Sequence, residues 1–215
     1  MENIPKKLAV LGTGDAGRTL GEALSKAGYD VVFGSRNPEM IGNASGVIVD
    51  HLQAVEHGAI IINTIPGQHT LKALEKIGSE ALSGKIFVDV GVAFSEDFTV
   101  LLYQDISGAE LIQEKYPTTK VVKTFCTMTA NIMIQPDTLD EETTIFLSGN
   151  DDAAKKNVSY LLSDLGWSDS SQIDLGGIET ARGQEHFGML YFALYNKYGH
   201  GDFNIKVHLR KNIAE

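Results

Sequence analysis

Lys7-Leu8-Ala9-Val10-Leu11-Gly12-Thr13-Gly14-Asp15-Ala16-Gly17 is the stretch that decides the fold. A short apolar run that ends directly in glycines suits a strand buried on both faces, as in a parallel sheet. From Ala16 to Gly28, the residues Leu20, Ala23, Leu24 and Ala27 recur at helical spacing, and Gly28 ends the pattern. Gly12, Gly14 and Gly17 therefore form G-x-G-x-x-G between a strand and a helix, the context in which that pattern carries meaning. The first glycine permits a tight turn, the second lets a pyrophosphate approach the backbone, and the third lets the helix pack on the strand. The helix N-terminus adds free N–H groups and a partial positive charge. Gly12, Thr13, Gly14, Asp15, Ala16 and Gly17 are thus candidate dinucleotide-binding residues.

Working outward, Val31-Val32-Phe33, Ala59-Ile60-Ile61-Ile62, Ile86-Phe87-Val88-Asp89-Val90 and Lys120-Val121-Val122 read as further buried strands. Thr70 to Leu82 reads as a helix with Leu71, Leu74, Ile77 and Leu82 on one face. Strands alternating with helices predict βαβ units, hence a Rossmann-type, doubly wound α/β fold with a mostly parallel sheet. Thr143-Thr144-Ile145-Phe146-Leu147 predicts one more strand, and Asp151 to Leu165 a helix with two aspartates at its positive end. Gln135 to Glu142 is the nearest thing to a boundary. The expected organisation is a nucleotide-binding domain over 1–140 and a small helical C-terminal extension over 141–215, packed on the same sheet.

The end of the second strand bears on which dinucleotide binds. An NAD site carries Asp or Glu there, about 20 residues past the glycines, to accept from the ribose hydroxyls. Here the sequence is Phe33-Gly34-Ser35-Arg36-Asn37, without a carboxylate. Ser35 offers a donor to a phosphate oxygen, and Arg36 offers a pairing and stacking guanidinium, so the expectation is NADP(H). Ligands of such sheets sit beyond the carboxyl ends of the strands. Thr64, Ile65 and Pro66 after the third run above, Val92 after the fourth, and Cys126 after the fifth are accordingly placed against the nicotinamide side. His69, after the Pro66-Gly67 turn, is either a pyrophosphate-side contact or an exposed helix-start residue.

Composition narrows the rest. The chain has 215 residues with 43% hydrophobic and 21% charged, ordinary for a globular protein. A net charge of −10 disfavours a nucleic-acid partner. It also means that Arg36 and the first helix must outweigh the repulsion of the whole chain for an anionic cofactor. No apolar run approaches the ~20 residues that cross a bilayer, so no membrane partner is expected. One cysteine and no signal-like N-terminus predict a cytoplasmic location. The six histidines form no ligand pair and His200 with Asp202 reads as a turn, so no metal is expected. Asn43-Ala44-Ser45 and Asn157-Val158-Ser159 match glycosylation acceptors, which carry no meaning in a cytoplasmic chain. Phe187, Leu190, Tyr191, Leu194, Tyr195 and Tyr198 make a helical aromatic stripe. It reads either as core packing against the sheet edge, or as a homodimer face or a wall of the substrate site.

The glycine loop, Gly34-Ser35-Arg36, Thr64-Ile65-Pro66, Lys123-Thr124-Phe125, Asp174-Leu175-Gly176-Gly177 and Thr180-Ala181-Arg182 together resemble the coenzyme F420-dependent NADP oxidoreductases and their NADPH-binding reductase relatives. The resemblance runs over nearly the whole chain. It implies hydride transfer between NADPH and F420 or a flavin-type acceptor, a small-molecule redox partner that carries the reactive atoms itself. Similar domains form the cytosolic part of membrane metalloreductases. Two departures, Lys123-Thr124-Phe125-Cys126 where relatives often read Lys-Ala-Phe-Asn and Val90-Gly91-Val92-Ala93-Phe94 where an Asn-Pro-like turn is common, fall where nicotinamide and acceptor would meet. No catalytic residue is assigned. The competing readings are a reductase of a small carbonyl or imine, and an NADP(H)-binding redox sensor without turnover. The first normally adds a large helical domain, for which little chain remains here. A preformed cavity beside Cys126 favours an enzyme, and a filled one a sensor.

Overall fold

The computed structural model describes residues 5–40 and 46–210. Eight strands form one sheet: β1 (Lys7–Leu11), β2 (Asp30–Ser35), β3 (Val47–Asp50), β4 (Ile60–Asn63), β5 (Ile86–Asp89), β6 (Lys120–Lys123), β7 (Ile145–Gly149) and β8 (Gln172–Asp174). Their order is β3-β2-β1-β4-β5-β6-β7-β8. All pairs are parallel except β6 with β7. The first six strands have the doubly wound order that reverses between β1 and β4, where a dinucleotide crevice opens.

The side chains of β1 alternate between two cores. Leu8 and Val10 join Leu20 and Leu24 of α1 (Asp15–Lys26), Ile132 of α6 (Ala130–Ile134) and Leu161 of α7 (Asp152–Asp164). Ala9 and Leu11 join Ala54 of α2 (His51–His57), Leu74 of α3 (Gly67–Ile77) and Ile112 of α5 (Gly108–Lys115). Helices therefore cover both faces, which is why the strands read as continuous apolar runs rather than alternating ones.

The sequence reading does not anticipate α5, α6 or β8, and two further departures lie closer to the glycine loop. The single helix expected over 70–82 is two, α3 and the short α4 (Ser79–Leu82), because Gly78 takes φ +89° and breaks the ladder. Its buried face still holds Leu74, Ile77 and Leu82. The β3–α2 unit escaped notice altogether. Val47-Ile48-Val49-Asp50 is an edge strand without a fully buried residue, so its signal is diluted. Asp50 ends it and caps α2 by accepting from Gln53 N at 2.8 Å.

Beyond β6 the chain extends the same sheet. Trp167, 1% exposed, anchors this part by donating Nε1–H to the Met133 carbonyl at 2.9 Å. After α8 (Ala181–Tyr198), the tail returns along β7, with Thr144 N–H donating to the Ile205 carbonyl at 2.8 Å. Asn43-Ala44-Ser45 lies outside the described residues. Asn157 sits in α7 and donates to the Ala153 carbonyl.

Candidate functional site: a glycine cradle and an apolar cavity

The predicted glycine loop follows β1 and opens α1. Gly12 takes φ +110°, and a methyl group there would lie 2.6 Å from Thr64 Oγ1. At Gly17 it would lie 2.3 Å from the Gly12 carbonyl oxygen. Thr64 closes the turn from the β4 side, donating Oγ1–H to the Leu11 carbonyl at 2.9 Å. Gly14 differs: a Cβ there meets nothing within 4 Å. It caps α1 without a side-chain hydrogen bond, so no side chain occupies the place where an anion meets the first-turn N–H groups. Two glycines shape the protein and one leaves room, which is the arrangement a pyrophosphate needs.

Ser35 and Arg36 stand at the end of β2. Ser35 is buried and its Oγ accepts from Asn37 N–H at 3.2 Å; Arg36 is exposed. His51, the first residue of α2, lies close by, and its imidazole is held below the usual range by burial first and by the Arg36 charge second. A histidine biased towards its neutral form and an arginine with no ion pair among the described residues leave a cationic position beside the strand end, suited to a 2′-phosphate.

The other predicted residues converge. Ala16, Thr64, Ile65, Pro66, Val92 and Cys126 all line one cavity of about 410 Å³ at the carboxyl ends of β4, β5 and β6. Gly12, Thr13, Gly14, Asp15, Gly17, Ser35 and Arg36 are not in its lining. They follow β1 and end β2, further along the same sheet edge. His69 is exposed and absent from the lining, and its neighbour Gln68 is present instead.

The cavity's far wall is aromatic. Phe94 and Phe98 come from the loop after β5, and Tyr191 and Phe192 from α8. Phe94 and Phe192 meet edge to face with centroids 5.1 Å apart, and Phe98 lies 5.1 Å from Phe192. Gly188 admits this contact, since a Cβ there would lie 2.5 Å from Phe94 Cζ. Of the α8 stripe, Tyr191 lines the cavity while Leu190, Tyr195 and Tyr198 are exposed. The core-packing reading of the stripe therefore fails, because α8 buries Ala181, Gln184, Glu185 and Gly188 instead. Phe94 ends the segment placed at the acceptor side by its departure from the family pattern, whereas nothing in the sequence points to Phe98, a loop residue without a periodic signal.

Among the described residues no charged side chain lines the cavity. Cys126 Sγ–H donates to Gln184 Oε1 at 3.8 Å. Although the residue keeps some exposure, burial of the sulfur pushes its thiol up to about 12. It is a protonated, weakly polar wall group at neutral pH rather than a nucleophile. Phe125 before it takes φ +65°, a strained backbone for a side-chain-bearing residue at the end of β6.

Beneath the cavity lies a charged cluster that sequence reasoning did not anticipate. Lys123 Nζ pairs with Asp89 Oδ2 at 2.8 Å and with Glu185 Oε1 at 2.9 Å, and it also donates to the Gly91 carbonyl. The three side chains are 0–2% exposed. Burial works against the Lys123 charge, and the two carboxylates outweigh it, so its pKa is raised. Asp89 additionally accepts from Asn63 Nδ2 at 2.7 Å. Removing one partner of such a buried pair costs about 3–5 kcal/mol. The Ala181-Arg182 element, expected among the family's markers, is a tie between helices: Arg182 forks onto Glu110 of α5 at 2.6–3.0 Å and does not line the cavity. Among the described residues no group of acidic, histidine or cysteine side chains is placed to hold a metal.

Comparison with known proteins agrees with this geometry. The family model described as "NADP oxidoreductase coenzyme F420-dependent" matches residues 7–93. A crystal structure assigned as an F420-dependent NADP-reductase, from Arthrobacter sp. FB24, superposes with a TM-score of 0.88 at 35% identity, covering 94% of this chain and 99% of that one. Metalloreductase STEAP2 of Homo sapiens is 29% identical over 191 residues, 87% of this chain. This chain spans only 37% of that relative's length. The F420-dependent NADP reductase of Methanothermobacter marburgensis is 32% identical over 100 residues, 40% of this chain and 44% of its own.

Proposed function

This chain belongs to the coenzyme F420-dependent NADP oxidoreductase family and is an NADP-dependent oxidoreductase, and we propose that it passes a hydride between NADPH and the ring of a deazaflavin (F420) or flavin. The observation that carries this reading is the cavity: about 410 Å³, aromatic on one side, adjoining the glycine cradle, and among the described residues lined by no charged side chain. A site of that character suits a flat ring that brings its own hydride-accepting atom.

The residues divide the work. Gly12, Thr13, Gly14, Asp15, Ala16 and Gly17 hold the pyrophosphate, and Ser35 with Arg36 holds the 2′-phosphate. Thr64, Ile65, Pro66, Val92 and Cys126 shape the nicotinamide side. Phe94, Phe98, Tyr191 and Phe192 exclude water and stack against the acceptor. When bound, the nicotinamide supplies the hydride and the acceptor receives it, and the protein contributes orientation and a dry site.

The open cavity beside Cys126 supports turnover over a sensor role. A cytoplasmic location belongs to the same proposal and is supported by the single free thiol; among the described residues no helix is long and apolar enough to cross a membrane. The exposed Met189, Leu190, Tyr195 and Tyr198 of α8 support a homodimer. A sedimentation measurement giving a monomer at micromolar concentration removes that element. The functional reading is tested by stopped-flow oxidation of NADPH with F420, FMN, FAD and ferric chelates. Rapid oxidation with F420 or a flavin is expected. Tight NADPH binding without oxidation by any acceptor returns the sensor reading.

A further inference from the structure

Both ends of one loop meet at one buried ion pair. The chain leaves the sheet after β5, carries Phe94 and Phe98 over the cavity, and returns at Gly108, the first residue of α5. At the near end, Lys123 Nζ donates to the Gly91 carbonyl. At the far end, Gly108 N–H donates to Glu185 Oε2 at 3.0 Å and Ala109 N–H to Glu185 Oε1 at 3.4 Å. Lys123 and Glu185 are paired with each other at 2.9 Å and shielded from solvent. Glu185 also sits in α8 about one turn before Gly188 and two before Phe192, the residues that meet Phe94. One pair therefore fixes the loop's two ends and the helix opposite them. Within the loop, a lone bridge joins Phe94 to Leu101, and Ser95 N–H donating to the Val100 carbonyl and Leu102 N–H to the Ala93 carbonyl make that stretch a turn of its own, so what the two ends set is where this turn sits over the cavity. Neither Lys123 nor Glu185 lines the cavity, so their effect on the reaction runs through the walls they hold.

We propose that Lys123 and Glu185 are positioning residues for hydride transfer, a buried clasp that sets the aromatic wall at its working distance from the nicotinamide side. This inference rests on the reading of the cavity as the hydride-transfer site. Asp89 holds Lys123 independently at 2.8 Å, so Glu185→Gln loosens the clasp without stranding the ammonium. Gly108→Pro reaches the pair from the loop side. It deletes the N–H donated to Glu185 Oε2 and sets the ring Cδ where that hydrogen pointed, so the carboxylate oxygen, 3.0 Å from the nitrogen, has to withdraw, at a first helical position whose backbone accommodates proline. The preceding Ser107 has φ −86° and ψ 157°, as a residue before proline requires. A Cβ at Gly108 stays 3.6 Å from Glu185.

Both variants of the full chain are compared with wild type in NADPH affinity, steady-state kinetics with F420, FMN and FAD, and the primary isotope effect with C4-deuterated NADPH. Hydrogen exchange over 92–107 is measured in parallel. The expected result is an NADPH Kd within about twofold of wild type. For the acceptor that wild type uses, kcat/KM falls about tenfold in each variant, because small misplacements of reacting groups are costly. The isotope effect rises and exchange over 92–107 accelerates. Acceptor kinetics and isotope effect at wild-type values overturn the clasp, as does equal loss of NADPH affinity and acceptor kcat/KM, the mark of a merely structural role. If wild-type protein oxidises NADPH with none of the acceptors, the functional reading has failed. Exchange then decides the clasp alone: unchanged exchange in both variants overturns it.

Discussion

Between Gly12 and Gly17 the chain builds its phosphate cradle from six consecutive residues, whereas the aromatic wall across the cavity joins Phe94 and Phe98 to Tyr191 and Phe192, two segments far apart in sequence. The cradle is determined locally: β1 ends, Gly12 turns, and Gly17 lets α1 approach. The wall exists only after long-range assembly, through the Lys123–Glu185 pair and the Arg182–Glu110 fork. A local device tolerates little change at each position and is shared by many dinucleotide enzymes. An assembled wall is free to vary, and that is where an enzyme chooses its acceptor.

The sharpest contrast lies inside the cradle. Gly17→Ala places a methyl group 2.3 Å from a backbone oxygen that cannot step aside. Its expected cost is about 1–3 kcal/mol, or a Tm about 3–10 °C lower, with NADPH binding lost. Gly14→Ala meets no protein atom, so its stability stays within about 0.5 kcal/mol of wild type while NADPH affinity falls. Calorimetry beside a binding titration separates the two. Undiminished NADPH affinity in Gly14→Ala breaks the idea that the open space belongs to a phosphate.

Arg36→Ala comes next in size. Loss of one charge-assisted contact of roughly 1.5–3 kcal/mol weakens NADPH about tenfold to hundredfold and leaves NADH affinity unchanged. Equal weakening of both cofactors shows that Arg36 acts on folding or on shared phosphates instead.

The smallest effect belongs to the acceptor side. Cys126, with its thiol pushed up to about 12, stays protonated throughout the physiological range. Its alkylation by iodoacetamide is expected to be slow at pH 8 and still rising beyond pH 10, and Cys126→Ser keeps turnover within about threefold. A rate that levels off below pH 9 indicates an activated thiolate and reopens a catalytic role for this residue.

The same division explains what was legible in the sequence. The glycine loop, Ser35-Arg36 and Thr64-Ile65-Pro66 could be read because each is contiguous and follows a strand of continuous apolar character. The strand β3 could not, since its half-exposed residues carry no two-faced burial signal. Lys123 was visible as part of a motif, but nothing local to it announces Asp89 and Glu185 as partners, 34 residues before it and in the final helix. The aromatic stripe of α8 is legible but its destination stays open between core, dimer face and site wall, because 3.6-residue periodicity reports a face without naming what it faces. Small residues decided that question: Gly188 turns inward against Phe94, leaving Leu190 and Tyr198 outside.

The central claim is direct hydride transfer from NADPH to a ring held in the aromatic cavity. The most direct test follows the label. NADPH carrying deuterium at C4, on each face in turn, is incubated with the protein and F420, whose accepting position is a carbon that retains what it receives. Mass spectrometry of the reduced F420 is expected to find the deuterium from one face of the nicotinamide and none from the other. Reduced F420 that carries only solvent hydrogen, or NADPH left unoxidised although bound, contradicts the account.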